Sequence, residues 1–356
     1  MKKKVYVTLQ NGKSFQGYRF GAEGEVSGEL VFSTSMVGYV ETLTDPANYG
    51  QIIVQTFPLI GNYGVMTADM ESEKAWAKAL IVREVCETPS NFRLDGSLND
   101  FMKEQNIVGV YGIDTRELTK VLREEGAQTA FISDKPLFSA CPANCVATDC
   151  VQAVAPTQTT VYGEDNAKYT LALLNLGTKK SIIDGFVKQG CKVVSLPFTA
   201  TAEEILAVGA DGVVIGDGPG DPKENKDIIK QVKKLIGKTA IFGVGLGHLI
   251  VALAFGADTK KLKYGHRGAN QPVKCLCCGK VFISTQNHAF EVVSDTVKKG
   301  EVRFINVNDN SCEGILYEDY KAFTIQCAPD SFGVGRVENP IYKKFFALMK
   351  KENENA

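Results

Sequence analysis

The sequence predicts an α/β protein of two domains: a β-rich α+β domain, followed by an α/β domain whose sheet is mainly parallel. Three observations carry this prediction. The chain has 356 residues, which is the length of two or three ordinary domains. Its first part contains short apolar stretches separated by turn residues, which is typical of strands. Its later part alternates apolar stretches of strand length with amphipathic helices, which is typical of parallel βαβ units.

In the first domain, residues 5–9 predict a strand, and Asn11-Gly12 predicts a tight turn into a second strand at 15–20. A helix is expected to begin at Ser97. Another is expected to begin at Asp114 or at the threonine after it, because three apolar residues then fall on one face of the helix: Leu118, Val121 and Leu122. The first domain is therefore expected to mix strands and helices.

Between Cys141 and Lys168 the apolar periodicity fades into proline, alanine, threonine and glycine, which favours a connecting segment. We therefore expect the first domain at residues 1–150, a linker at 151–167 and the second domain at 168–356.

The second domain is predicted element by element from its alternating pattern. In chain order we expect a strand at 170–174, a helix at 179–189, a strand at 191–196, a helix with the capping box Thr201 and Glu204, a strand at 212–215, a helix ended by Gly237, and a strand at 239–244. Beyond residue 256 the pattern predicts mostly strands, at 281–284, 302–307, 312–317 and 322–326. A last helix is expected to begin at Asn339-Pro340.

Composition excludes several classes of protein. Forty basic and forty-one acidic side chains leave no positive excess for a phosphate backbone, so nucleic acid is not expected as a partner. The apolar run at 240–257 contains His248 and several glycines, so we expect a buried strand, turn and helix rather than a membrane span. Ten cysteines are too few for a disulfide scaffold, and polar residues interrupt the apolar stretch behind Met1. We therefore expect a cytoplasmic protein.

Two glycine-rich loops follow predicted strands of the parallel sheet, where ligands bind in such folds. Residues 216–222 expose backbone amides that could stabilise an oxyanion, although a merely tight connection remains an alternative. Residues 243–248 resemble a nucleophile elbow, G-x-nucleophile-x-G, with Gly245 at its centre. A dinucleotide-binding turn is disfavoured, because the spacing of its last glycine and the acidic residue about 20 positions later are both missing.

Motifs along nearly the whole chain are similar to those of the small subunit of carbamoyl phosphate synthetase, a triad-type glutamine amidotransferase. In the first domain they are Gly21-Ala22-Glu23-Gly24-Glu25, Ser35-Met36-Val37-Gly38-Tyr39, Leu43-Thr44-Asp45-Pro46, Pro58-Leu59-Ile60-Gly61-Asn62-Tyr63-Gly64 and Gly112-Ile113-Asp114-Thr115-Arg116. In the second they are Asp217-Gly218-Pro219-Gly220-Asp221-Pro222, Gly247-His248, Gly265-His266-Arg267-Gly268-Ala269-Asn270 and Gln286-Asn287-His288. The resemblance implies a class I amidotransferase-like second domain and a large ATP-using subunit as partner.

The resemblance also implies a catalytic cysteine and histidine, and this chain lacks both. Gly245 occupies the position of the nucleophile, while Ala328 and Asp330 occupy the positions of the histidine and glutamate of the family's H-P-E motif. Three positions of the glutamine pocket also differ, with Ala47 for serine, Leu249 for glutamine and Ala289 for glycine. The family's other substrate contacts match at Gly218, Gly220, Leu246, Asn287 and Phe290. These losses predict that glutamine hydrolysis is abandoned.

The resemblance leaves three functions open. The first is a scaffold or regulatory subunit of an ammonia-dependent complex, in which the large subunit would hold ATP and Mg²⁺ and this chain no cofactor. The second is residual glutamine hydrolysis by unrecognised residues. The third is a binding protein detached from carbamoyl phosphate synthesis. The sequence does not choose between arginine and pyrimidine synthesis.

The cysteines are candidates for a replacement nucleophile and for metal ligands. Cys327 lies beside the missing histidine, but neighbouring side chains of a strand point to opposite faces, so we expect it in the core. Two groups, 275–278 and 141–150, contain three cysteines each, at C-x-C-C and C-x₃-C-x₄-C spacing. Neither has the paired C-x₂-C spacing of a structural zinc site, and no metal is expected. The three histidines are expected to be structural.

Overall fold

The computed structural model describes residues 3–136, 146–331 and 339–349. The chain divides into two compact units. Unit 1 contains Met1–Cys150 and Lys263–Gly268, and unit 2 contains Val151–Leu262 and Ala269–Ala356. Cys141 and Cys145 of the C-x₃-C-x₄-C group lie outside the described residues. Within the described part of the chain, no helix is long and apolar enough to cross a membrane.

Unit 1 is built on a closed barrel in the order β1-β2-β8-β6-β4-β3-β9. Its strands, with the short pair β5 and β7 beside the barrel, are β1 Lys4–Leu9, β2 Ser14–Gly21, β3 Val26–Ser33, β4 Gln51–Gln55, β5 Leu59–Ile60, β6 Ala79–Ile81, β7 Glu84–Val85, β8 Val108–Tyr111 and β9 Gln128–Ser133. The expected hairpin is confirmed, because β1 and β2 pair across Asn11-Gly12 with Thr8 opposite Ser14.

The helices of unit 1 are α1 Tyr39–Thr44, α2 Leu98–Glu104 and α3 Thr115–Glu125. Both predicted helix starts are confirmed. The Ser97 side chain accepts a hydrogen bond from the Asp100 amide, and Asp114 accepts from the amides of Arg116 and Glu117. The three expected apolar residues of α3 are buried in one apolar cluster together with residues of the barrel strands. Residues of α1 and α2 belong to a second cluster, which contains other residues of the barrel strands.

Unit 2 is built on a ten-stranded sheet in the order β10-β12-β11-β13-β14-β19-β18-β16-β15-β17. Its strands are β10 Thr160–Tyr162, β11 Tyr169–Asn175, β12 Cys191–Pro197, β13 Gly212–Ile215, β14 Ala240–Val244, β15 Thr259–Cys275, β16 Val281–Val292, β17 Glu301–Asn306, β18 Cys312–Tyr317 and β19 Ala322–Ile325. The run β12-β11-β13-β14-β19 is parallel. Strands β18 and β17 continue the sheet in antiparallel pairing. The predicted α/β class is confirmed.

Helices cover both faces of this sheet. They are α4 Cys150–Val154, α5 Lys180–Lys188, α6 Ala202–Ala207, α7 Lys226–Leu235, α8 Leu246–Ala254 and α9 Pro340–Met349. Residues of α6, α7 and α8 share one apolar cluster, and residues of α5 and α9 share another. The expected capping box of α6 is present, with Thr201 and Glu204 each bonding the other's backbone amide.

The structure differs from the sequence-based expectations in two places. Residues 151–167, expected to be a linker, contain the rest of α4 and strand β10, which pairs antiparallel with β12 at the edge of the sheet. All three residues of β10 are exposed, so its pairing leaves no apolar periodicity in the sequence. Strand β15 was not predicted. It is 17 residues long, and its glycines and charged residues hide the strand pattern.

Candidate functional site

The candidate site begins with the sharp turn at Gly245, between strand β14 and helix α8. Gly245 has φ 57° and ψ −117°, a region that glycine adopts without a Cβ penalty. Its amide donates to the Ile325 carbonyl at 3.0 Å, and its carbonyl accepts from the His248 amide at 3.0 Å. Gly247 is required by close packing, since a Cβ there would overlap the Ile215 carbonyl oxygen. The elbow geometry is therefore present, with no side chain at its central position.

The loop after β13 lies against this elbow, because β13 and β14 are parallel neighbours whose carboxyl ends share one edge of the sheet. Asp217, in that loop, turns its carboxylate toward the elbow. Its Oδ1 accepts hydrogen bonds from the Gly218 amide at 2.8 Å and from the Leu246 amide at 3.0 Å. The family resemblance places both amides among the contacts to glutamine and the oxyanion.

The Asp217 carboxylate also occupies the space that a nucleophile side chain would need. A Cβ added at Gly245 would overlap Asp217 Oδ1 and would lie within 3 Å of the other carboxylate oxygen. The Asp217 carboxylate therefore accepts hydrogen bonds from both amides, and it also fills the space beside Gly245 in which a side chain would lie. This role was not predicted from the sequence, in which Asp217 is part of a loop motif. The available signal was the missing side chain at Gly245, which leaves space for the carboxylate of a neighbouring loop.

The position that the family resemblance gives to the general base lies after β19, the other parallel neighbour of β14. Ala328 is held by its backbone, with its amide donating to the Thr285 carbonyl at 3.0 Å and its carbonyl accepting from Ser331 Oγ at 2.6 Å. Asp330 is exposed in a 3-10 turn at Pro329–Ser331. Since a methyl group cannot accept a proton, Ala328 cannot act as the base.

The remaining predicted positions lie on several elements of the two units. Leu249 lies one turn into α8 and is buried in its apolar cluster, so it presents no polar group. Gly220 is exposed in the loop after β13. Three positions lie half-buried on β16: Asn287, Ala289 and Phe290. Ala47 belongs to unit 1, in a 3-10 turn at Pro46–Asn48, where its amide donates to Asp45 Oδ1 at 2.9 Å.

Cys327 cannot replace the missing nucleophile. Its side chain is buried in the cluster of α5 and α9, whereas α8 packs in the cluster on the other face of the sheet. Burial raises the pKa of the Cys327 thiol well above its usual range, and the nearby Glu313 carboxylate raises it further. The thiolate needed for attack is therefore disfavoured. This agrees with the expectation of a core cysteine.

The histidines of unit 2 are held in internal hydrogen bonds. His248 is fully buried, with Nδ1 2.7 Å from Thr324 Oγ1. Burial lowers the pKa of His248 from 6.5 to about 3, so its ring is neutral at physiological pH. His288 lies between the Phe290 carbonyl, 2.9 Å from Nδ1, and Gln286 Oε1, 3.3 Å from Nε2. Both rings therefore orient their neighbours, as expected of structural histidines.

The buried His248 ring predicts a pH dependence of stability. Between pH 6.5 and about 3 the unfolded chain binds a proton that the folded chain excludes, so the free energy of unfolding falls as the pH is lowered. One such group contributes a slope of up to about 1.4 kcal/mol per pH unit. We expect His248→Asn to remove this contribution and Thr324→Val, which keeps the ring, to retain it. Urea unfolding from pH 7 to 4 measures the slopes. Equal slopes in wild type and His248→Asn would contradict the prediction.

Comparisons with known proteins give matches for both units of the chain. Residues 7–132 match the family described as carbamoyl-phosphate synthase small chain, CPSase domain, and residues 172–348 match the class-I glutamine amidotransferases. The carbamoyl phosphate synthase small chain of Bacillus cereus is 41% identical over 360 residues, covering 99% of this chain and 98% of its own length. The small chain of Listeria innocua is 40% identical over 358 residues, with the same coverage of both chains. That of Fusobacterium nucleatum is 42% identical over 334 residues, covering 91% of this chain and 92% of its own.

Proposed function

This chain belongs to the family of carbamoyl phosphate synthase small chains, and from that premise we propose that it is a small chain that no longer hydrolyses glutamine. It would act as a scaffold or regulatory subunit in a complex that makes carbamoyl phosphate from bicarbonate, ATP and free ammonia. The large subunit of that complex would bind ATP and Mg²⁺, and the complex would lie in the cytoplasm, where the cysteines can remain thiols.

The observation that carries this proposal is the elbow at Gly245, which keeps its backbone geometry but has no nucleophile side chain. Hydrolysis by this type of enzyme needs a thiolate to attack the amide and two free amides to stabilise the oxyanion that forms. At Gly245 there is no side chain, and both amides donate to Asp217 Oδ1 instead. A negatively charged group already in the hole opposes the build-up of a second negative charge there.

The missing base supports the same proposal. Even a thiol supplied at Gly245 would need a neighbouring group to remove its proton, and Ala328 offers none. Since nucleophile, base and free oxyanion donors are all lacking, no single substitution would restore the reaction.

The proposed large subunit is supported by unit 1, which retains the motifs of the small chains. Within the motif at 35–39, the Gly38 amide donates to the Tyr63 hydroxyl at 2.7 Å and the Tyr39 hydroxyl to the Gly64 carbonyl at 2.6 Å. Tyr63 and Gly64 belong to another of these motifs. The same segment leaves Met36 68% exposed and Val37 66% exposed. Neighbouring exposed apolar side chains favour contact with another protein.

The test is to purify the chain with its large subunit and to measure carbamoyl phosphate formed from glutamine and from ammonium. We expect ammonium to support synthesis and glutamine to give no product above the background without a nitrogen donor. Glutamine-dependent synthesis would favour residual hydrolysis and contradict the proposal. A large subunit that is active alone and does not bind this chain would favour the detached binding protein and contradict the scaffold role.

A further inference from the structure

A cluster of three cysteines lies in the turn between β15 and β16. The sulfur atoms of Cys275, Cys277 and Cys278 all lie within 4.8 Å of one another, and those of Cys275 and Cys277 are 3.0 Å apart. Cys275 is buried at the end of β15, whereas Cys277 and Cys278 are exposed. The three sulfurs therefore converge at a point that an ion can reach from solvent.

The backbone of the turn explains why they converge. The Cys275 amide donates to the Lys280 carbonyl at 2.8 Å, and the Gly279 amide donates to the Cys275 carbonyl at 2.9 Å. Gly279 has φ +70°, which lets the chain reverse directly after Cys278. Cys275 and Cys278 thus form a single C-x₂-C unit on a tight turn, a spacing within the range found for zinc ligands, although the second such unit of a structural zinc site is missing from this turn.

The sulfurs need little movement to share one ion. With a zinc–sulfur bond of about 2.3 Å, two thiolates on a tetrahedral ion lie about 3.8 Å apart. The sulfurs of Cys275 and Cys277 are closer than this, at 3.0 Å, and all three sulfurs lie within 4.8 Å of one another, so shifts of about 1 Å would suffice.

We propose that Cys275, Cys277 and Cys278 bind one thiophilic metal ion, Cu⁺ or Zn²⁺, through three thiolates. Soft sulfur ligands select these ions, whereas Mg²⁺ and Ca²⁺ require oxygen ligands, and no carboxylate belongs to this group of the described residues. Each thiol that binds releases its proton to solvent, and no electron is transferred. Three protein ligands leave tetrahedral Zn²⁺ one position open to solvent. The proposal is independent of the elbow and of the proposed function.

The test uses the full chain, which is first reduced and then separated from the reductant under anaerobic conditions. Alkylation and mass spectrometry first establish that the three thiols are reduced. Zn²⁺ is then titrated in competition with a chromophoric chelator, and Cu⁺ in competition with bicinchoninate. We expect one equivalent of at least one ion to bind, with ultraviolet thiolate-to-metal absorption in the Cu⁺ arm. The Cys277→Ser/Cys278→Ser variant is expected to bind that ion more than about 100-fold more weakly.

Cys86→Ser is the matched control, because Cys86 is a half-buried free thiol of unit 1, outside the cluster. We expect it to bind like the wild type. Because Cys277 and Cys278 are exposed, the double variant is expected to keep the wild-type circular dichroism spectrum and unfolding midpoint. The proposal is overturned if the reduced protein takes up neither ion, or if the double variant binds as tightly as the wild type. A disulfide in the purified protein, with no metal uptake after reduction, also overturns it.

Discussion

Glutamine hydrolysis is expected to return only when five positions are changed together. Gly245→Cys supplies the nucleophile and Ala328→His the base, while Asp217→Ala frees the amides of Gly218 and Leu246 for the oxyanion. Leu249→Gln and Ala47→Ser restore the polar groups that the family resemblance places in the glutamine pocket. Loss of a triad nucleophile or base costs about a millionfold in turnover, so the contrast with the wild type should be of that order when the geometry is restored.

The matched control is the variant with the other four substitutions and Asp217 intact. We expect it to be inactive, because the carboxylate still holds both amides and overlaps the new side chain. The measurements are ammonia release from glutamine and trapping of a thioester with labelled glutamine. Equal activity of the four-fold and five-fold variants would show that Asp217 does not block the site. A thioester on any cysteine of the wild-type chain would contradict the proposed loss of function.

Gly245→Cys alone is expected to destabilise unit 2 by about 3 kcal/mol. Part of this cost, about 1 kcal/mol, comes from placing a side chain in a backbone region that favours glycine. The rest arises because the new Cβ displaces the Asp217 carboxylate, and hydrogen bonds to a charged group are worth about 1.5–3 kcal/mol. With Asp217→Ala already present, the same substitution should therefore cost only about 1 kcal/mol.

A double-mutant cycle in urea measures this coupling, which we expect to be about 2 kcal/mol. Gly245→Ala serves as the control, since it adds the Cβ without a thiol and should show the same coupling to Asp217. Additive costs for Gly245→Cys and Asp217→Ala would mean that the carboxylate moves aside freely. A Gly245→Cys variant that is more stable than the wild type would contradict both the expected backbone cost and the expected cost of displacing the Asp217 carboxylate.

The sequence by itself determined the features that depend on neighbouring residues. Helix starts at Ser97, Asp114 and Thr201 were predictable, because a capping side chain bonds to amides two or three positions ahead. The elbow at Gly245 was predictable for the same reason, since a strand, a turn and a helix follow one another directly. The absence of a side chain at Gly245 and of a proton-accepting group at Ala328 was equally visible, because it concerns which side chain is present.

Only the tertiary structure decided where side chains distant in sequence meet. Asp217 reaches the Leu246 amide because β13 and β14 are parallel neighbours, and that pairing brings together loops 29 positions apart in the chain. The sequence does not reveal strand β10, because an exposed edge strand needs no apolar alternation. It does not reveal β15, because backbone pairing in the sheet compensates for residues of poor strand propensity. The cysteine sulfurs of the β15–β16 turn converge for a related reason: spacing restricts the available geometry, but the fold selects the conformation of the turn.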